Sequence, residues 1–176
     1  MTADVTIKVI VPVVETDRLI LREPRESDFE TVAAFAASDR TAFIGGKQNR
    51  YEAWRGHLAG IGHWIARGYG FWMVEDKASG KPAGRLGFIY HAGWSEPELG
   101  WHIYDGFEGR GYAFEGAMAA RQTGARRFGL DGVISHIDHA NLRSRKLAER
   151  MGATIEREAV LLETPVLIYR HPKVLA

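Results

Sequence analysis

The chain has 176 residues, of which 45% are hydrophobic and 26% are charged, and its formal net charge is +1. This size predicts one domain with a sizeable core, and the near-neutral charge gives no electrostatic reason to expect nucleic acid or an anionic membrane as a partner. The sequence contains no cysteine, which excludes disulfide bonds, thiolate metal ligands and a cysteine nucleophile.

The first third of the chain predicts an arm, a strand and two helices. Residues 1–14 form an N-terminal arm or edge strand; the acidic Asp4 and the lack of a cleavage motif argue against a signal peptide, so we expect a cytoplasmic protein. Residues 18–22 predict a strand, and Ser27 with Glu30 fits a capping box before a helix over residues 28–37. A second amphipathic helix, ended near Gly68, is marked by apolar residues at helical spacing: Tyr51, Trp54, Leu58, Ile61 and Ile65.

The rest of the chain predicts three successive strands and then alternating helices and strands. The three strands cover residues 71–75, 83–90 and 99–104, and a helix of about four turns follows a glycine-bearing loop and runs to Phe128. A short strand over residues 133–137 precedes a helix that starts near Asn141 and stops at Gly152. Two strands, over residues 154–162 and 166–170, close the chain. This order predicts a mixed sheet in an α+β fold.

The loop between residues 106 and 111 is the strongest functional signal in the sequence. It joins a strand to a helix, and the first N–H groups of a helix have no partner inside the helix and carry partial positive charge. Glycines allow positive φ angles and let a phosphate approach the backbone without meeting a side chain. The sequence therefore predicts a site for a phosphorylated cofactor.

Two other groups of residues invite a functional interpretation. His136, Asp138 and His139 resemble metal ligands in spacing, but a polar strand end beside the cofactor explains them better, and we expect no metal site. Trp94 lies in a loop and Trp64 lies off the apolar stripe of the second helix, so both are candidates for lining a substrate site or an interface. The remaining tryptophans that we assign lie at core spacing: Trp54, Trp72 and Trp101.

Several motifs together resemble the GNAT superfamily of acetyl-CoA-dependent N-acetyltransferases, most closely the RimJ and RimL branch. They are the strand Glu15-Thr-Asp-Arg-Leu-Ile-Leu-Arg22, Glu98-Leu-Gly-Trp101, the loop Glu108-Gly-Arg-Gly-Tyr-Ala113 and Asn141-Leu-Arg-Ser144. The resemblance covers residues 15–170 and implies a single acyl-CoA N-acyltransferase-like domain over residues 15–176. The implied fold is a central, twisted, mostly antiparallel mixed sheet flanked by about four helices. One position departs from the family pattern, which has Gln or Arg where this loop has Glu108.

The resemblance also implies how the chain would hold acetyl-CoA as its co-substrate. The pantetheine arm would pair with the exposed edge of the strand around Trp101, His102 and Ile103. The pyrophosphate would bind the loop and helix start at Gly109, Arg110, Gly111, Tyr112 and Ala113. Asn141 would order the cofactor region, and Arg145 or Lys146 would reach the 3′-phosphate.

Direct attack of an amine on a thioester needs a base for the amine and an acid for the departing thiolate. Glu98, at the start of the central strand, is the base candidate, acting directly or through water. Ser144 is the acid candidate, with Tyr104 and Tyr112 in reserve. Glu98 and Ser144 also have plain structural interpretations. Glu98 could be a salt-bridge partner, and Ser144 could be a helix-start residue that bonds nearby backbone.

Three functions remain open from the sequence. The first is an N-acetyltransferase acting on a small-molecule amine or a protein N-terminus. The second is a non-catalytic acyl-CoA-binding regulatory protein. The third is a dinucleotide-binding oxidoreductase, although the glycine loop lacks the third glycine and follows a three-strand meander. The sequence does not identify the acceptor, and a homodimer is an open expectation.

Overall fold

The computed structural model describes residues 7–174, and eight strands within that range form one sheet in the order β1-β2-β3-β4-β5-β6-β8-β7. The strands are β1 (Val14–Glu15), β2 (Leu19–Arg22), β3 (Phe71–Asp76), β4 (Lys81–Ile89), β5 (Glu98–Ile103), β6 (Ile134–Asp138), β7 (Thr154–Leu161) and β8 (Thr164–Arg170). The α-helices are α1 (Phe29–Ala36), α2 (Arg50–Arg67), α3 (Tyr112–Phe128) and α4 (Leu142–Arg150). The expected mixed sheet with four helices is confirmed.

Every neighbouring pair of strands in this sheet is antiparallel except β5 and β6. Helix α3 connects these two parallel strands, as a crossover between parallel neighbours requires. A doubly wound dinucleotide-binding sheet would instead be built from successive parallel strands. The oxidoreductase alternative is therefore wrong at the level of the fold.

The two faces of the sheet are covered by different helices. Helix α3 lies so close to one face that a side chain at Gly116 or Gly124 would collide with Leu86 or Phe88 of β4. Helix α1 covers the opposite face, where Phe35 stacks on His102 with ring centroids 5.4 Å apart. Because side chains alternate along a strand, β5 sends Trp101 towards α3 and α4 and His102 towards α1.

The predicted buried stripe of α2 is wrong at three of its five residues. Tyr51, Leu58 and Ile65 are 68%, 44% and 50% exposed, whereas Trp64, our candidate for lining a substrate site or an interface, is only 2% exposed. Trp64 packs edge-on against Trp72 at 5.1 Å and donates its indole N–H to the Phe71 carbonyl at 2.9 Å. The packing of Trp64 on Trp72 of β3 thus determines which face of the helix is buried, more than the apolar spacing does.

The entry into α1 also differs from the prediction. In place of the Ser27–Glu30 capping box, the Asp28 carboxylate accepts a hydrogen bond from the backbone N–H of Arg25 at 2.8 Å. It also accepts hydrogen bonds from both terminal nitrogens of the Arg22 guanidinium, at 2.8 and 2.9 Å. Burial opposes ionisation of Asp28, but these hydrogen bonds lower the pKa of its carboxyl. A buried ion pair, and not a serine cap, fixes α1 to β2.

The described part of the N-terminal arm leads into a two-residue strand, Val14–Glu15. Before them, the Pro12 carbonyl accepts the indole N–H of Trp72 at 2.7 Å, which fastens the arm over the core. Residues 1–6, the first part of the predicted arm, lie outside the described residues. Within residues 7–174, no helix is both long enough and apolar enough to cross a membrane.

Candidate functional site

The candidate site lies where β5 and β6 separate. The two strands are paired at one position, Glu98 opposite Ile134, whereas β5 keeps its full pairing with β4 from Glu98 to Ile103. Beyond the single paired position, no strand within residues 7–174 neighbours the edge of β5 that faces β6. The sheet therefore opens into a V-shaped split that widens towards the glycine loop.

Three residues hold the narrow end of the split together. The Ser135 hydroxyl donates to the Leu99 carbonyl at 2.6 Å and lies 3.0 Å from the Nε2 atom of His171. Because the serine proton is given to Leu99, the imidazole Nε2–H donates to the serine oxygen. Ser135 and His171 are 2% and 1% exposed. This buried chain of hydrogen bonds fixes the point at which the strands diverge.

The backbone of β5 offers hydrogen-bonding groups to the split. Tyr104 N–H donates to the Ala83 carbonyl in β4, and the Leu99 carbonyl accepts from Ser135 on the opposite side. Because backbone groups alternate in direction along an antiparallel pair, those of Trp101 and Ile103 point away from β4 and into the split. These are two of the three strand residues that we predicted to pair with a pantetheine arm.

The glycine loop lies at the wide end and leads into α3. Gly109 and Gly111 have φ angles of +72° and +81°, a left-handed conformation that glycine adopts without strain. Arg18 fixes the loop by donating to the Arg110 carbonyl at 2.8 Å and to the Glu115 carboxylate at 2.7 Å. The first N–H groups of α3, at residues 112–114, are unpaired within the helix by geometry and form an anion-binding end.

Glu108, the residue that departs from the family pattern, forms an ion pair with Arg40. Arg40 lies in the connection between α1 and α2, and it also donates to the Ile103 carbonyl at 2.7 Å. It thus joins the loop to the open edge of β5. No pattern in the sequence indicates this pairing, because the two residues are far apart in the chain and belong to different turns.

Glu98 lies at the narrow end of the split and is 8% exposed. One of its carboxylate oxygens accepts the backbone N–H of His136 at 3.0 Å and also contacts the Nδ1 atom of the same imidazole. Trp94 packs edge-on against the His136 ring at 6.2 Å, which brings this loop residue next to the pair. His136, first considered as a metal ligand, is instead the partner of Glu98.

Ser144 lies on the other face of β5, in the first turn of α4. Its hydroxyl oxygen accepts the indole N–H of Trp101 at 3.2 Å, and its backbone N–H donates to the Asn141 side chain at 3.2 Å. Asn141 is therefore the N-terminal cap of α4. The cap and the indole together fix Ser144 against the strand that borders the split.

Four other predicted residues have side chains that are buried or hydrogen-bonded to other residues. The His102 imidazole accepts from Arg85 at 2.9 Å on the α1 face, and burial lowers its pKa. Arg145 donates to the Tyr169 hydroxyl at 3.2 Å and to the His139 carbonyl at 3.0 Å.

The two reserve acid candidates are less suitably placed. The Tyr112 hydroxyl donates to Asp76 at 2.6 Å, and burial under α1 raises the pKa of Tyr104 to about 12. Ser144 thus remains the better placed acid candidate.

No group of three or more histidine, aspartate and glutamate side chains within residues 7–174 is arranged to hold a metal ion. Asp138 instead caps the turn after β6 by accepting the Ala140 N–H at 2.7 Å.

Comparison with known proteins identifies relatives of the whole chain. The sequence profile described as "Acetyltransferase (GNAT) domain" matches residues 18–154. An acetyltransferase from Agrobacterium tumefaciens is 30% identical, with a TM-score of 0.86 over 97% of this chain and 100% of that one. The uncharacterized protein YkkB of Bacillus subtilis is 28% identical over 89% of this chain and 93% of its own.

A more distant structure shows the shared fold with a bound ligand. The ribosomal L7/L12 α-N-protein acetyltransferase RimL, solved in complex with coenzyme A, is 18% identical, with a TM-score of 0.76 over 92% of this chain and 98% of that one. Its presence among the structural neighbours agrees with the resemblance of the sequence motifs to the RimJ and RimL branch.

The buried His171 makes the stability of the split depend on pH. Burial, with help from Arg121 and Arg170, lowers its pKa from 6.5 to about 3. The unfolded state therefore binds more protons between these values, so the stabilising contribution is complete above about 6.5 and is lost as the pH falls towards 3. Urea unfolding across this range should show a slope of up to about 1.4 kcal/mol per pH unit from this group.

The variant His171→Gln should lose that part of the slope, whereas the exposed His139→Gln should retain it. An unchanged pH dependence in His171→Gln would show that His171 is not the group that titrates.

Proposed function

The chain belongs to the GNAT acetyltransferase family, and from this membership we propose that it transfers the acetyl group of acetyl-CoA to an amine. The observation that carries the proposal is the open edge of β5, which leads directly to the glycine loop and the start of α3. An extended amide-bearing arm and a pyrophosphate need these two features next to each other.

The residues present fit this co-substrate. The backbone groups of Trp101 and the N–H of Ile103 face the split and suit the amides of pantetheine, and residues 109–113 form a positively polarised end for the phosphates. Arg110 adds a cation at the loop. The complex of RimL with coenzyme A supports this reading by analogy of fold. When bound, acetyl-CoA supplies an activated acetyl thioester.

Glu98 and His136 are proposed to take the proton of the attacking amine. The Glu98 carboxylate accepts hydrogen bonds, so the neutral imidazole beside it carries its proton on Nδ1 and its lone pair on Nε2. Glu98 thereby fixes the tautomer in which His136 can accept a proton, and its negative charge stabilises the imidazolium that results. The base predicted at Glu98 becomes a carboxylate–imidazole pair.

Ser144 is proposed to give a proton to the departing sulfur. Because the Trp101 indole N–H donates to the Ser144 oxygen, the serine proton is not used in that bond and remains available to another acceptor. The same indole would stabilise the oxygen after the proton has left. Ser144 and the Glu98–His136 pair lie on opposite faces of β5, so the proton-donating and the proton-accepting group reach the split from separate sides.

The acceptor is proposed to be a peptide N-terminus or a small-molecule amine that reaches the site on the side of Trp94. A structural neighbour from Salmonella typhimurium modifies the N-terminal serine of ribosomal protein L7/L12, which supports a peptide acceptor by analogy. A small amine fits the same chemistry, and no described feature favours one of them.

Coenzyme binding can be tested by thermal unfolding. Coenzyme A or acetyl-CoA at 100 times its Kd should add about 2.7 kcal/mol to the free energy of unfolding and raise the melting temperature, whereas NADH should not. If NADH raises the melting temperature and both CoA compounds leave it unchanged, the proposed function is wrong. Binding of acetyl-CoA without release of free thiol over a panel of amines and peptides would favour a regulatory protein.

The proton-transfer roles predict a separation of turnover from binding. Glu98→Gln, His136→Gln and Ser144→Ala should each lower kcat by about a hundredfold or more, the usual effect of losing a general acid or base, while the Kd for CoA changes little. Combining Glu98→Gln with His136→Gln should cost little more than either change alone, because the two side chains act as one base.

Glu26→Gln and His139→Gln replace exposed residues of the same types and should leave kcat unchanged. Wild-type turnover in Glu98→Gln or Ser144→Ala would remove the corresponding role.

A further inference from the structure

A carboxylate in the glycine loop is difficult to reconcile with a bound pyrophosphate. Glu108 directly precedes Gly109 and Arg110, and its side chain is 27% exposed. Two negative groups this close repel each other, and partial burial strengthens the repulsion because solvent screens it less. If the proposed co-substrate binds here, some feature of this chain must compensate the charge of Glu108.

The contacts of Arg40 suit it to compensate the charge of Glu108. Its guanidinium forms an ion pair with Glu108, donates to the Ile103 carbonyl at 2.7 Å and lies 5.9 Å from the centre of the Phe35 ring. The side chain is 27% exposed, so its position is fixed by protein contacts on several sides. Arginine stays charged in such surroundings because its intrinsic pKa is so high.

The neighbouring charges surround Arg40 at the wide end of the split. Burial lowers the pKa of Arg40, Asp105 opposes that effect and Arg143 of α4 adds to it. The positive charge of Arg143, on the other side of the split, thus influences Arg40. Arg40 is therefore in contact with Glu108 and is also influenced by the charges of Asp105 and Arg143.

We propose that Arg40 is a positioning residue for coenzyme A: it neutralises Glu108 and so removes a negative charge that would repel an anionic ligand at the loop. This inference rests on the proposed function, since it assumes that the loop holds the phosphates. Because Arg40 also binds the Ile103 carbonyl, it ties the α1–α2 connection to the edge of β5. A distant segment of the chain thereby cancels the negative charge that Glu108 places where the family pattern has Gln or Arg.

The proposal predicts a specific pattern in a double-mutant cycle. Arg40→Gln leaves Glu108 unpaired in the phosphate loop and should raise the Kd for CoA by roughly ten- to a hundredfold. Glu108→Gln alone should leave the Kd within about threefold of the wild type. Arg40→Gln combined with Glu108→Gln should restore most of the lost affinity, since the uncompensated anion is gone.

The experiment is calorimetric titration of the purified full-length variants with CoA, together with their melting temperatures without ligand. Arg50 and Glu30 form a matched control, an ion pair whose side chains are 66% and 75% exposed and which lies on α1 and α2 away from the loop. The same cycle at this pair should leave the Kd unchanged. Arg40→Glu with Glu108→Arg exchanges the charges and should bind within about threefold of the wild type, which provides a second test if Arg40→Gln does not fold.

Two results would overturn the proposal while the proposed function stands. One is a wild-type Kd in Arg40→Gln, and the other is equally weak binding in Arg40→Gln and in the double variant, which would assign the loss to the Ile103 contact. A wild-type protein that does not bind CoA would overturn both. Turnover measured in parallel separates a failure of chemistry from a failure of binding.

Discussion

The separation of β5 from β6 is the constraint on which the rest of the site depends. A single paired position, Glu98 opposite Ile134, joins the strands, and the Ser135 bridge from Leu99 to His171 holds them there. Unpaired backbone groups are costly when buried and must find partners. The N–H and C=O groups along the open edge of β5 therefore suit a ligand that pairs with them, and the loop that follows determines which ligand fits.

The same geometry arranges the proposed chemistry. The side chains of β5 alternate between two faces, one covered by α1 and the other by α3 and α4. Glu98 and its partner His136 lie on the first face, and Ser144 approaches Trp101 from the second. A base and an acid on opposite sides of a narrow opening suit a displacement in which one group attacks as another leaves. The alternation of a single strand is enough to produce this separation.

Local sequence signals predicted much of this structure. The glycines of the loop, the apolar strand before it and the stop at Gly152 all report on nearby residues, and the elements they predict are present. The burial of α2 was predicted wrongly, because packing of Trp64 on Trp72 depends on a strand outside the helix. The Asp28–Arg22 pair replaced a serine cap for a similar reason, since its partner lies on β2.

The partners in the site were the least predictable part. Glu98 and Ser144 were identified from family resemblance, but His136 and Arg40 became visible only when the fold brought them to Glu98 and Glu108. Both pairs join segments that are distant in the chain, and no periodicity or spacing encodes such a contact. In both pairs the partner changes the proposed role of the residue. Glu98 becomes part of a carboxylate–imidazole pair, and Glu108 becomes a neutralised anion.

The central claim is that the open edge of β5 receives an amide-bearing arm of coenzyme A. The most direct measurement is the hydrogen exchange and NMR resonance shift of individual backbone amides on addition of saturating CoA. The N–H groups of Trp101 and Ile103 should exchange more slowly and shift, while that of His102, which points to β4, stays unchanged. Unaltered exchange at Trp101 and Ile103 in the presence of bound CoA would contradict the account.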